Sequence, residues 1–228
     1  MYVRGGAVKQ MTMKLLEMAR SNGGYLTSRE VTRAGIPRRE LSEAVEAGLI
    51  IPIERGLYAL PETGKDPLVV AQHRFARGIF SDDTALWLQG LSGRAPFSLT
   101  MTFPRSYHTS SAKAAGIICR SCAIEVLDLG LSSVAAPHGN VVRAYDAERP
   151  LCDVARGHKV VDLQIVIPAM RAYVRSDICD LSKLIDYSRQ LGVERKIRGY
   201  LEVLQREPST RLLPLESPVA SVSPSPEN

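Results

Sequence analysis

The sequence predicts an α+β chain: a winged helix-turn-helix unit over residues 1–61, then a mixed α/β domain over 66–206 with a small sheet and a helical end. Three observations predict it. A capped short helix, a tight turn and a second helix follow one another between Gly24 and Gly48. Two short apolar runs then meet at Glu54-Arg55-Gly56. Beyond the polar stretch "ETGKDP", strand-like alternation gives way to three long helical runs.

In chain order, Val8, Met11, Leu15, Leu16 and Met18 fall at approximately helical spacing, so residues 7–20 are expected as an amphipathic helix. "SNGG" ends it, because glycine takes left-handed dihedrals freely. Thr27-Ser28-Arg29-Glu30 has the spacing of a capping box: Thr27 accepts from the Glu30 amide and Glu30 reaches back. Leu26 and Val31 occupy the positions of a hydrophobic staple. A helix is therefore expected over 28–34, stopped by Gly35. Pro37 is pre-set for the first position of the next helix, whose stripe is Leu41, Ala44 and Val45 and whose end is Gly48. "LIIPIERGLYALP" then reads as a β-hairpin wing.

After the boundary at Pro61–Asp66, "DPLVVAQHRFARG" reads as a helix with Pro67 in its first turn. "IFSDDTALWLQGL" reads as another, with Ser81 as its cap. Strands are expected at "FSLTMTFP", "IICRSCAIEVLDL" (as a buried strand) and "VVRAY". "DAERPLCDVARG" reads as a short helix with Asp146 capping it and Glu148, Arg149 and Asp153 pairing locally. Three helices follow. The tail over 207–228 is rich in Pro and Ser, lacks aromatics and is expected to be disordered.

Composition narrows the function. The chain has 228 residues, 45% of them hydrophobic, and a formal net charge of +5. Such a balance permits an anionic partner without demanding one. No apolar run is long enough for a transmembrane helix, and charges interrupt the N-terminus, so the cytoplasm is the expected compartment. The four cysteines do not make a disulfide framework; Cys119 and Cys122 read as small buried hydrophobes rather than as a redox pair. The four histidines lack ligand spacing, and neither metal nor cofactor is expected. Catalysis is not expected either. Asp82 and Asp83 suit a helix N-terminus, and "GLSGR" is followed by no carboxylate pair on a strand.

The two arginines opening the second helix, Arg38 and Arg39, stand where such motifs enter the major groove. Arginine there bonds a guanine edge bidentately or a phosphate. Arg55 at the wing tip suits a phosphate or the minor groove. The candidate DNA contacts are Thr27, Ser28, Arg38, Arg39, Ser42 and Arg55. Against this stand Glu40, Glu43 and Glu46, which repel phosphate wherever they face it.

The same stretch resembles the winged-helix domain of AbiEi-type antitoxins, from abortive-infection type IV toxin–antitoxin systems. "ERGLYALP" looks like the family's wing ending, R-G-x-Y followed by apolar residues and Pro. "GIFSDDTALWLQGL" looks like its G-x-x-S-x-x-T-A-L-x-L-x-G-L motif. "TMTFPRSY", "AYDAERPLCDVAR" and "KIRGYLEVL" resemble three later segments, so the likeness spans about residues 10–205. Asp82 stands where the family often has His, and Pro150 where it often has Thr. The resemblance implies a protein with two tasks. Its first domain would bind inverted repeats of double-stranded DNA in its own promoter and repress the operon. Its second would counteract a nucleotidyltransferase-like toxin without a tight complex. The basic residues Lys183, Arg189, Arg195, Lys196 and Arg198 are the candidate antitoxic surface, against a plain solvated helix face as the alternative. A metabolite-responsive winged-helix regulator with no toxin is the other reading of the whole chain.

Overall fold

The computed structural model of the chain describes residues 3–157 and 163–206. The expected tail over 207–228 lies outside them. Of those described, the first unit runs α1 (Val3–Ser21), β1 (Tyr25–Thr27), α2 (Ser28–Arg33), α3 (Arg38–Glu46), β2 (Ile51–Glu54) and β3 (Leu57–Ala59). Its antiparallel sheet has the order β1-β3-β2. This is a winged helix. Leu15, Ala19, Leu26, Val31, Ile36, Leu41, Ala44, Ile50 and Leu60 form its core. Both staple residues lie in it, so the entry of α2 is fixed by burial as well as by its cap. Pro37 departs from expectation. It precedes the helix with extended dihedrals, and α3 starts at Arg38. Ile36 is already buried under α2, and the chain must turn outward before it can coil again.

The second unit runs α4 (Pro67–Arg74), β4 (Ile79–Phe80), α5 (Asp82–Leu88), β5 (Thr100–Pro104), α6 (Ser110–Ala114), β6 (Ile118–Cys122), a 3-10 turn at Ile124–Val126, β7 (Leu131–Ala135), β8 (Val141–Tyr145), α7 (Glu148–Arg156), α8 (Leu163–Val174), α9 (Leu181–Gln190) and α10 (Glu194–Arg206). Five strands form a mixed sheet in the order β6-β5-β4-β8-β7. Phe80, Met101, Phe103, Val142 and Ala144 pack with Leu68, Ala71 and Phe75 of the α4 segment and with Ala112. Ile79 and Tyr145 pack instead with Ala85 and Leu127. The C-terminal helices build a further core around Leu86, Leu151, Met170, Tyr173, Leu184 and Ile197. No helix among the described residues is long and apolar enough to cross a membrane.

Three expectations are corrected here. Ile79 and Phe80 form a strand rather than the first turn of a helix, because they pair with Thr102 and Met101. Ser81 does precede α5, but its hydroxyl makes no cap bond; Asp83 accepts from the Thr84 amide instead. Residues 118–122 form an edge strand rather than a buried one. Cys122 is buried and Cys119 is half-buried. All four cysteines are free.

Arg149 is the most unusual interior group. Its side chain is 1% exposed, its Nε donates to Asp153 at 2.9 Å, and its Nη1 donates to the Val126 and Leu129 carbonyls at 2.6 and 2.9 Å. The guanidinium lies over the Tyr145 ring at 4.4 Å. Burial pushes the Asp153 carboxyl up to about 6, despite the arginine beside it. Glu148, also buried, turns to a different set: it accepts from the Tyr173 hydroxyl at 2.8 Å and pairs with Lys183 at 3.0 Å.

The two units meet over a built junction. Val69 and Val70 of α4 pack against Tyr25, Leu57 and Ala59 of the small sheet. The Tyr25 hydroxyl accepts from the Asp66 amide at 2.7 Å and donates to the Gly64 carbonyl at 3.0 Å. Buried Asp66 caps α4 through the Leu68 amide at 2.9 Å and accepts from Asn140 at 3.1 Å.

Arg149→Ala strands Asp153 and two carbonyls, and is expected to cost about 3–5 kcal/mol in urea unfolding of the full chain. Tyr25→Phe keeps the apolar contact but leaves the Asp66 amide without its acceptor. It is expected to cost about 1–3 kcal/mol by the same measurement.

Candidate nucleic-acid interface

The capping box forms as the spacing predicts. The Glu30 amide donates to Thr27 Oγ1 at 3.2 Å, and the Thr27 amide donates to Glu30 Oε2 at 2.7 Å. Thr27 Oγ1 also donates to the same carboxylate at 2.7 Å. The hydroxyl of Thr27 is therefore committed to orienting α2. Ser28 is committed through its backbone: its amide donates to the Gly56 carbonyl at 2.9 Å, tying the start of α2 to the wing turn. Gly56 has φ +77°, which lets Arg55-Gly56 close the hairpin as a two-residue turn.

On α3, Leu41 and Ala44 point into the core while Arg38, Arg39, Ser42 and Glu46 are exposed. Arg38 has no side-chain partner among the described residues, and its carbonyl accepts from Ser42 Oγ at 3.3 Å. Arg39 is 83% exposed and bonds through Nε to Glu43 Oε1 at 2.5 Å, one turn on. Glu40 does not face solvent. It is 8% exposed, and its Oε2 has no hydrogen-bond partner. The exposed carboxylates of this helix are thus Glu46 and, half-buried, Glu43. Arg55 is exposed at the wing tip, and its carbonyl contacts His73 Nε2 of α4 at 3.2 Å. Glu54 pairs with Arg74 at 3.6 Å. The wing is braced against the second unit rather than hanging free.

Two cations escaped the sequence reading. Arg29 and Arg33, four residues apart on α2, are both exposed. Their i, i+4 spacing on a capped helix was the signal that could have found them.

The basic set near the C-terminus divides. Lys183 pairs with Asp146 at 3.1 Å and Glu148 at 3.0 Å. Burial works against its ammonium, yet these two carboxylates outweigh it and hold the pKa above its ordinary value. Lys196 donates to the Ala155 and Arg156 carbonyls at the end of α7, at 3.1 and 3.2 Å. Arg189 pairs with Asp186 and Glu194, and Arg198 with Glu194. Arg195 alone of the five is exposed without a partner among the described residues.

Comparison with known proteins adds to this geometry. Residues 13–61, the helices and wing just described, match the family model for "Transcriptional regulator, AbiEi antitoxin". The resemblance drawn from the sequence is borne out over that segment. No curated protein matches the chain. Among solved structures, the chain is similar to the RV2827C protein from Mycobacterium tuberculosis. That match has 14% identity and a TM-score of 0.48, and covers 88% of this chain and 83% of that one.

Proposed function

We propose that the chain is a DNA-binding autoregulator and antitoxin of a type IV toxin–antitoxin system. It binds inverted repeats in its own promoter, represses the operon and counteracts a nucleotidyltransferase-like toxin without a tight complex. One observation carries the reading: Arg38 and Arg39 open the exposed face of α3 within a capped helix-turn-helix that matches the antitoxin regulators. The helix N-terminus adds its dipole to those two charges, which favours a phosphate or a base acceptor there. Arg55 extends the contact from the wing, and Ser42 adds a hydroxyl. Thr27 and Ser28 act at one remove, by fixing where α2 and the wing sit. Such a protein works in the cytoplasm, beside the DNA, and needs no cofactor and no catalytic group.

The antitoxic task is assigned to residues 66–206. Within the basic set, Arg195 is the residue free to meet a partner, while Arg189 and Arg198 must first give up carboxylates. Lys183 and Lys196 hold the helices that present it.

A second reading has a structural observation of its own. A cleft of about 470 Å³ lies between the units, lined among others by Asn22, Glu30, Gln72, His73 and Asn140. A metabolite-responsive regulator would place its effector there, and such a protein would alter operator binding on addition of a small polar molecule and would rescue no toxin.

The two tasks are expected to separate in the full-length chain. Each of Arg38→Ala, Arg39→Ala and Arg55→Ala is expected to lose about 1–3 kcal/mol of operator affinity where a base edge is read. A lost phosphate contact would instead flatten the salt slope by about one unit. The triple variant should still rescue growth when the adjacent toxin is induced. Wild-type binding by the triple variant in a promoter shift assay would sink the DNA-reading assignment. A further variant, Arg195→Ala, should keep operator binding and weaken rescue.

A further inference from the structure

Arg39 and Glu43 stand one helical turn apart on the exposed face of α3. The contact between them is specific in form. Glu43 Oε1 meets Nε, the inner edge of the guanidinium, at 2.5 Å. The two terminal Nη groups have no hydrogen-bond partner among the described residues. Those are the donors that fit O6 and N7 of a guanine side by side. A guanidinium otherwise free on a long side chain loses rotamer freedom when it docks; one already held at Nε has less to lose.

We propose that Glu43 is the positioning residue that holds Arg39 as a fork for a single guanine in the operator half-site. The inference rests on the DNA-reading proposal above and deepens it. A carboxylate on a DNA-facing helix repels phosphate wherever it stands. Glu43 therefore lowers affinity for all DNA while raising discrimination for one base. The pair carries no net charge, so sequence-independent attraction falls to Arg38, Arg55 and the α2 arginines Arg29 and Arg33. Glu40, being buried, takes no part in this surface.

The two roles of Glu43 have opposite signs, and that makes the proposal testable in the full-length protein. Fluorescence anisotropy would compare binding to the chain's own promoter fragment and to an unrelated duplex of equal length. Selection from a randomised duplex pool would read the preferred bases. Glu43→Ala is expected to bind the unrelated duplex more tightly. Its ratio of specific to non-specific affinity is expected to fall about ten-fold, with guanine preference blurred at one position. Glu43→Gln keeps an oxygen to accept from Nε and should retain most of the ratio. Arg39→Lys keeps the charge, loses the fork and should blur the same position. Circular dichroism confirms that each variant is folded. If Glu43→Ala tightens both duplexes equally and leaves the preferred bases unchanged, Glu43 is only a repulsive neighbour and the proposal is overturned. If the wild type itself enriches no sequence, the DNA-reading proposal falls first and this inference with it.

Discussion

The buried carboxylate of Asp66 determines how the two halves of the molecule meet. One oxygen caps α4 and the other accepts from Asn140 in the turn between β7 and β8, while the backbone amide of the same residue donates to Tyr25 in β1. Three elements from distant parts of the chain thus converge on one residue, two through its side chain and one through its backbone. A carboxyl group this deep is tolerated only because its oxygens are hydrogen-bonded. Beside it the small sheet lays Tyr25, Leu57 and Ala59 against Val69 and Val70, and Asp66 itself is 3% exposed. The orientation of α3 relative to the five-stranded sheet follows from this junction, since β1 leads directly into α2 and α2 into α3.

A comparable economy operates inside the second unit. Arg149 reaches two carbonyls, a carboxylate and an aromatic face, which together offset the cost of burying its charge. Glu148 faces the other way, to Tyr173 and Lys183, and joins α7 to α8 and α9. Adjacent residues of opposite charge therefore serve opposite sides of one helix. Each ties α7 to a different neighbour: Arg149 to the segment before β7, Glu148 to the helical layer. Arg189, Lys196 and Arg198 show the same habit at the surface, where cations of the last two helices are largely spent on nearby acceptors.

The parts of this fold legible in the sequence are those set by neighbours in the chain. Thr27 and Glu30 are three residues apart, Leu26 and Val31 five, and the Arg55-Gly56 turn is self-contained; each was readable from spacing and turn chemistry. What depends on distant segments was not. Ile79 and Phe80 look like the start of a helix until β5 arrives to pair with them. β7 is "LSSVA", whose small residues give a weak alternation signal, and its place is set by pairing with β8. The charged "YDAERPLCD" was expected to pair locally, and Arg149–Asp153 does. That Arg149 is buried depends on carbonyls some twenty residues earlier in the chain. At the candidate site, the arginines of α3 and the wing were visible as residue types at a helix start and a hairpin tip. The commitment of Thr27 to its own helix and the bracing of the wing by His73 required the folded chain.

The bracing of the wing has a mechanical consequence. A hairpin held only by its own strands would swing through a wide arc, and a cation at its tip would sweep a cloud of positions. Here the tip carbonyl rests on His73 and the neighbouring Glu54 on Arg74, both from the same turn of α4. The wing and α4 therefore form a bracket whose far end packs on the large sheet through Leu68, Ala71 and Phe75. Both contacts narrow the arc open to the hairpin, so the wing cation keeps closer to one distance from the start of α3 than a free tip would.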